Sequence, residues 1–376
     1  MTEPIACDVL VAGAGPAGST LAALLAARGA DVVLADRDVF PRDKVCGEFL
    51  SWDAMPVLER IGATALVRRA SPPPITRCRI LGRKTTIDVA LPGSALGISR
   101  FRLDAILAAT ARDRGARLLQ GATALSIERN GGRFVTRLSI HEGEEVAVDA
   151  RAVAGAWGRW GRLDIQLDRP FVAHKRNRYI GFKRHYEGPH ALPSSVDLYP
   201  FPGGYLGAQA VEEGRVNICG LVHQERLATL RGGWPAFVET LRRWSARLDA
   251  LFAATPLQED FLASEPLIFR AKEPVHDGIV LVGDAAGLID PLTGNGMAMA
   301  VQSAALAAEP ILSLLAGDDG ALARYARAHH AHFAPRLRWS RAAAALLRHP
   351  KIVDAGARIP GAAPLAELFA RCTRSK

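Results

Sequence analysis

A chain of 376 residues, 49% of them hydrophobic and 23% charged, can build more than one core and is too apolar to stay disordered. Its length divides into roughly two to three domains of ordinary size, and a mean hydropathy of only +0.08 argues against an integral membrane protein. The net charge of +9 is local: from Ala321 to Lys376 eleven Arg or Lys stand against Asp354 and Glu367, and the preceding residues are formally neutral. That distribution excludes a phosphate-binding face spread over the whole molecule, so nucleic acid is not an expected partner. The basic C-terminal stretch reads either as a solvated helical tail or as a helix in peripheral contact with a membrane or an acidic partner. Cys7, Cys46, Cys78, Cys219 and Cys372 are odd in number and never form a C-x-x-C pair, which speaks against a disulfide framework and a thiolate metal site. No basic leader precedes the first strand, and the expectation is a cytoplasmic protein.

In chain order, Asp8–Ala12 reads as a strand, Gly13–Gly18 as a glycine-rich turn, the following Ala/Leu stretch as a helix to about Ala27, and Asp31–Ala35 as a second strand. Pro41 and Pro72–Pro74 interrupt the periodicity, so the stretch between them is expected to be loops and a short helix. A helix follows over Arg102–Arg114, then a strand over Arg117–Gln120. From Phe171 to Val222 the hydrophobic period becomes two, with Gly-Gly and Glu-Glu-Gly turns, which predicts an antiparallel sheet. One helix is expected over Trp234–Phe252, its apolar stripe covering that sheet. Gly278–Val282 then returns as a buried parallel-type strand, and Gly296–Leu315 is expected to be a packed helix rather than a membrane span. The second run of α/β signal, so far from the first, implies interleaved domains: an α/β unit from residues 1–80, 97–165 and 275–325, a second unit from 81–96 and 166–274, and a basic helical segment over 326–376.

Gly13–Ala14–Gly15–Pro16–Ala17–Gly18 follows a strand and opens a helix, the context in which G-x-G-x-x-G signals a dinucleotide. The first glycine permits the turn, the second admits pyrophosphate to the backbone, and the third lets helix and strand pack closely. Asp36, at the end of the second strand, is placed to accept hydrogen bonds from a ribose. Far downstream, Gly283–Asp284 ends a strand and Asp290–Pro291–Leu292–Thr293–Gly294–Asn295–Gly296–Met297 makes a second glycine-rich entry to a helix.

On these residues the chain resembles the FAD-dependent oxidoreductases of the para-hydroxybenzoate hydroxylase superfold. The resemblance is carried by the first fingerprint through Asp36 and Arg37, by Arg100 with Leu103 and Asp104, and by Gly283–Asp284 with Pro291 and Gly294–Gly296. It implies a three-layer, Rossmann-like FAD-binding domain interleaved with an antiparallel substrate domain. Asp284 would hold the ribityl or pyrophosphate region, Arg100 would pair with phosphate, and the Gly296 helix terminus with Asn295 and Met297 would face the flavin. Ala124 belongs to the same expected cofactor set. Phe40–Pro41–Arg42–Asp43–Lys44–Val45–Cys46–Gly47–Glu48 looks like the F-P-R-x-K-x-C-G stretch of the geranylgeranyl reductase branch, in which the Cys-Gly turn borders the flavin. Lys44 and Gly47 would then lie at the cofactor, and Cys46 is both a cofactor neighbour and a candidate redox or proton-donor group.

Two departures bear on the substrate. The stretch Leu198–Gly204 keeps a tyrosine, Tyr199, and a Phe-Pro pair from that branch's aromatic motif but has no tryptophan; Tyr199 is retained as a catalytic candidate. Trp157 stands where hydroxylases of the superfold place an aspartate. The W-x-W-x-I-P segment of flavin halogenases is absent. The expected substrate is a hydrophobic or aromatic small molecule, and the expected reaction is flavin-mediated hydride transfer or, alternatively, hydroxylation of an aromatic or polyketide-type substrate. NADPH or NADH would dock transiently as reductant, because no second G-x-G-x-x-G exists. An NAD-dependent dehydrogenase and a non-catalytic binding protein are the rivals from other classes, and neither accounts for the segment Gly283–Met297.

Overall fold

The N-terminal strand Ile5–Ala12 is apolar on both faces and therefore takes the middle of a sheet. In a computed structural model that describes residues 3–140, 143–173, 179–188, 194–269 and 272–358, with 364, 367, 371, 372 and 374 beyond them, it pairs in parallel with Val32–Asp36 on one side and Glu144–Gly155 on the other. Arg117–Gln120 and Ile279–Leu281 extend the sheet in parallel at either end. Helices Pro16–Ala26, Arg100–Asp113 and Gly296–Leu315 cover one face through Val9, Val11, Leu34 and Val301. The other face is covered by an antiparallel meander, Thr123–Asn130, Arg133–Ile140 and the near half of Glu144–Gly155, packing through Leu10, Val33, Phe134 and Leu138. These are three layers. Helix Gly296–Leu315 is long and apolar enough to cross a membrane by composition, yet it packs between Pro16–Ala26 and Ala321–Leu347.

The second sheet runs Leu262–Ala263, Tyr179–Glu187, Arg215–His223, Gly204–Ala210, Ser195–Phe201, Pro74–Leu81, Thr86–Gly97 and Phe49–Leu50 in spatial order. All its pairings are antiparallel except that of Ser195–Phe201 with Pro74–Leu81. Strands Phe49–Leu50 and Pro74–Leu81 thus belong to this sheet, so the expected boundary between residues 80 and 81 falls inside it, at the end of a strand paired with the next one, Thr86–Gly97. The covering helix is two helices, Gly233–Trp244 and Ala246–Phe252. Ser245 between them is extended (φ −151°, ψ 131°) and its hydroxyl caps the second helix from the Arg247 N–H at 3.3 Å; a serine competes for backbone donors better at a cap than inside a helix. The apolar stripe continues across the break, which is why periodicity alone read one helix. Between Pro41 and Pro72 lie two short helices, Met55–Arg60 and Thr64–Arg69, where one was expected.

The basic C-terminus is no loose tail. Helix Ala321–Leu347 buries Tyr325, Phe333, Ala343 and Ala344, Tyr325 donates its hydroxyl to the Leu281 carbonyl at 2.6 Å, and Arg336 donates to Gln302 at 2.6 Å. Arg324, Arg327, Arg338 and Arg341 sit on the outer faces of the helix, while Arg336 is buried with the apolar residues of its inner face.

Candidate active site

Glycine is forced at the first turn. Gly13 has φ +110°, and a Cβ there would stand 2.4 Å from the Ala156 carbonyl oxygen. At Gly18 a Cβ would meet the Gly13 carbonyl oxygen at 1.8 Å, so this residue sets the helix against the strand and lies behind the cleft. A Cβ on Gly15 would find only Arg100 Nη2, at 3.6 Å, because this glycine faces open space. Asp36 accepts the Ala14 N–H at 2.6 Å, tying the end of the second strand to the turn. Arg100 donates twice to Asp104 (2.7 and 2.6 Å), and Asp104 also receives Arg42, so a fully buried carboxylate locks two guanidinium groups in place. Burial, and then the nearby Arg100 and Arg42, push the Lys44 ammonium down to about 8.

From the downstream segment, Gly283 donates its N–H to Ser303 Oγ at 2.7 Å, and the Asp284 carbonyl accepts Lys272 at 2.7 Å. Gly294 adopts φ +62° with its Cβ position 3.0 Å from Phe49, leaving no room for a side chain. The fold carries these residues to the first fingerprint: Gly13, Gly15, Pro16, Ala17, Asp36, Arg37, Lys44, Cys46, Gly47, Arg100, Ala124, Asp284, Pro291, Gly294, Gly296 and Met297 line one cleft of about 300 Å³. Asn295 is not among them; it is fully buried beneath the turn.

A second, larger cavity of about 530 Å³ lies against the antiparallel sheet. Its walls are almost wholly apolar, and it shares Val45, Cys46, Gly47, Phe49, Arg159, Leu267, Pro291 and Gly294 with the first cleft. Alternation on the strands decides what reaches it: Val196, Leu198, Tyr205, Gly207, Gln209, Cys219 and Leu221 point in, while Tyr199, Phe201, Leu206, Ala208 and Ile218 point to the covering helices. Tyr199 therefore lies on the wrong face for catalysis. Its hydroxyl approaches Asp197 at 3.4 Å, and burial pushes it well above its ordinary value. Leu346, Leu347, Ile352 and Val353 close the chamber from the C-terminal helices.

Cys46 stands where the two cavities meet. Its sulfur accepts the Glu48 N–H at 3.4 Å and its carbonyl accepts Asn217 Nδ2 at 3.0 Å. Immediately behind it Glu48, fully buried at φ +58°, accepts Lys183 at 2.5 Å, His185 Nε2 at 2.7 Å and the Arg100 N–H at 2.8 Å. Asp43, Glu48 and His185 converge as metal ligands do, but the Lys183 ammonium sits between the two carboxylates, 2.8 Å from Asp43 and 2.5 Å from Glu48, and occupies the place of a cation. Sequence reasoning missed this cluster, and in the loop Trp157–Gly161 it singled out Trp157 but not Arg159. There the Trp157 and Trp160 indoles donate to Asp164 (3.1 Å) and the Pro266 carbonyl (2.9 Å), holding Arg159 at the junction of the cavities. The signal was an arginine between two tryptophans on a glycine-rich loop after a buried strand.

The cleft fits an FAD. The N-termini of helices Pro16–Ala26 and Gly296–Leu315 both open into it, Arg100 and Lys44 offer cations to a diphosphate, and Gly15 leaves the backbone bare where a phosphate would approach. Residues 6–183 match the family described as FAD binding domain. By that match and by its likeness to the reductases and halogenases below, the chain carries an FAD-binding domain and is an FAD-dependent oxidoreductase with a para-hydroxybenzoate hydroxylase-type fold. It is 29% identical over 340 residues to a menaquinone reductase of Mycobacterium tuberculosis, covering 82% of this chain and 77% of that protein. It is 25% identical over 366 residues to a tryptophan 2-halogenase of Chondromyces crocatus, covering 90% and 67%. A geranylgeranyl bacteriochlorophyll reductase-like structure from Thermoplasma acidophilum superposes with a TM-score of 0.80 at 23% identity, covering 95% and 92%, and shares the fold. The larger cavity adjoins this cofactor cleft, with Cys46, Gly47, Pro291 and Gly294 in the common wall.

Proposed function

We propose that this flavoenzyme is a reductase acting on an apolar or aromatic small molecule bound in the 530 Å³ chamber. The observation that carries the reading is the common wall: a nearly all-apolar cavity opens directly onto the cofactor cleft at Cys46 and Gly47, so a buried substrate meets the cofactor without crossing water. FAD supplies hydride transfer, with NADPH or NADH as transient reductant. The protein's own part is to exclude water with Leu198, Leu221, Leu267 and the C-terminal helices, and to hold the substrate against the Cys46–Gly47 turn. The relatives named as reductases support the choice, and the missing W-x-W-x-I-P segment weighs against the halogenase chemistry of the other relative.

The test is anaerobic. Purified holoprotein bleached with NADPH should recover its yellow colour on addition of naphthoquinone or polyene acceptors. Oxygen consumption in stoichiometry with a hydroxylated product would establish the monooxygenase alternative instead. Leu346 and Ile352, 45% and 48% exposed, stand at the chamber mouth beside exposed Arg341, Lys351 and Arg358, an arrangement suited to peripheral contact with an anionic lipid surface from which an apolar substrate enters. Co-sedimentation with vesicles containing phosphatidylglycerol, lost in an Arg341→Glu/Lys351→Glu variant, checks that contact; equal binding to neutral vesicles would rule it out.

A further inference from the structure

Two polar side chains in the chamber have no bonding partner among the described residues. Arg159 borders both the chamber and the cofactor cleft, and among the described residues its guanidinium makes no hydrogen bond or ion pair. The loop around it is fixed: Trp157 and Trp160 are anchored through their indoles, Gly161 donates its N–H to Asp164 at 2.8 Å, and Lys272 bridges the Arg159 and Asp284 carbonyls. The guanidinium is thus held on a rigid platform, with Asp284, Cys219, Cys46 and Arg100 as the charged or titratable groups around it. Gln209, on the chamber face of strand Gly204–Ala210, is 2% exposed, and among the described residues neither its Oε1 nor its Nε2 has a partner. A buried amide or guanidinium without partners is costly, and folded proteins leave such groups where a ligand completes them.

Resting on the reading of this cavity as the substrate chamber, we propose that the substrate is an apolar molecule bearing one oxyanion, a carboxylate or phenolate, which Arg159 receives at the cofactor end while Gln209 reads a neutral polar group farther along the sheet. A hydrocarbon-like substrate would leave a cation stranded in an apolar cavity. An anion restores neutrality there, and the planar fork of arginine suits a carboxylate. Burial, chiefly, pulls the guanidinium below its ordinary value, in keeping with a cation that awaits its counter-charge.

The experiment is binding to the FAD-loaded protein by calorimetry, with 2-naphthoate and its neutral isostere 2-acetonaphthone as probes. Naphthoate should bind at least tenfold more tightly to the wild type. Arg159→Met should abolish that preference, Arg159→Lys should keep part of it, and flavin absorbance checks that each variant is loaded. Equal affinity of the two probes for wild type, or an unchanged preference in Arg159→Met, overturns the proposal. Gly207→Phe fills the chamber, and its Cβ position meets nothing closer than 3.4 Å, so this variant should bind neither probe. If it binds both as well as wild type does, the chamber reading itself fails; if it binds neither while wild type shows no anion preference, only the role of Arg159 falls.

Discussion

Replacing Glu48 by glutamine tests the ionic cluster beneath the Cys46–Gly47 turn. Glu48 and Lys183 are 0% and 2% exposed in their side chains, whereas Asp43, the other carboxylate on Lys183, is 39% exposed. Glutamine keeps the volume but turns one acceptor into a donor facing Lys183 or His185, leaving the buried ammonium with half-exposed Asp43 as its one carboxylate partner among the described residues. Breaking a buried pair by removing one member costs about 3–5 kcal/mol, and the surviving Asp43 contact puts the expected loss near the lower end, about 3 kcal/mol. That is a large part of a typical folding free energy of about 5–15 kcal/mol. Urea unfolding of the FAD-loaded protein, followed by tryptophan fluorescence, measures it. Lys183→Met in the same background removes the stranded charge, so the double variant should recover about 2 kcal/mol relative to Glu48→Gln alone. The same pair predicts a pH response. Burial works against the Lys183 charge, but Glu48 and Asp43 outweigh it and hold the ammonium above its ordinary 10.5. Its stabilisation is therefore complete below pH 10.5 and disappears as pH rises through the folded value, an alkaline step that Glu48→Gln should reduce. A Glu48→Gln protein within 0.5 kcal/mol of wild type (a bound of about one part in ten of the total), or strictly additive losses in the double variant, would refute the reasoning.

Other outcomes follow from the cleft and the sheet. Gly15→Ala leaves the fold intact, since its Cβ position is clear to 3.6 Å, but should weaken FAD binding at least about tenfold by blocking the bare backbone; Gly18→Ala, with a Cβ 1.8 Å from a carbonyl oxygen, should instead lower the unfolding midpoint of the apoprotein. Tyr199→Phe should leave turnover unchanged and stability within about 1 kcal/mol, because the lost hydroxyl contact is long and faces away from the chamber. Burial pushes Lys44 down to about 8, and a dianionic cofactor beside it would raise that value, so FAD binding at pH 9 should take up protons while binding at pH 6.5 should not. Calorimetry in buffers of different ionisation enthalpy reads the difference, and no proton uptake at pH 9 would remove Lys44 from the cofactor's field.

The chain order of amino acids by itself determined the cofactor half of this enzyme. Glycines 13, 15 and 18 and the carboxylate of Asp36 act through backbone geometry within one strand-turn-helix unit, where spacing along the chain equals spacing in space. The parallel strands and the long helix after Gly296 were legible for the same reason: their hydrophobic periods are local. What only tertiary structure decided are the features assembled from distant segments. Tyr199 belongs to a motif-like stretch, yet strand alternation turns it toward the covering helices, and register fixes that sign only once neighbouring strands pair. Glu48, Lys183 and His185 lie far apart in the chain and meet because the Cys46–Gly47 turn docks on the second sheet. The C-terminal arginines dominate the composition, yet the apolar residues between them close the chamber. Arg159 and Gln209 stand out only because, once the chain has folded, none of the described residues bonds their side chains.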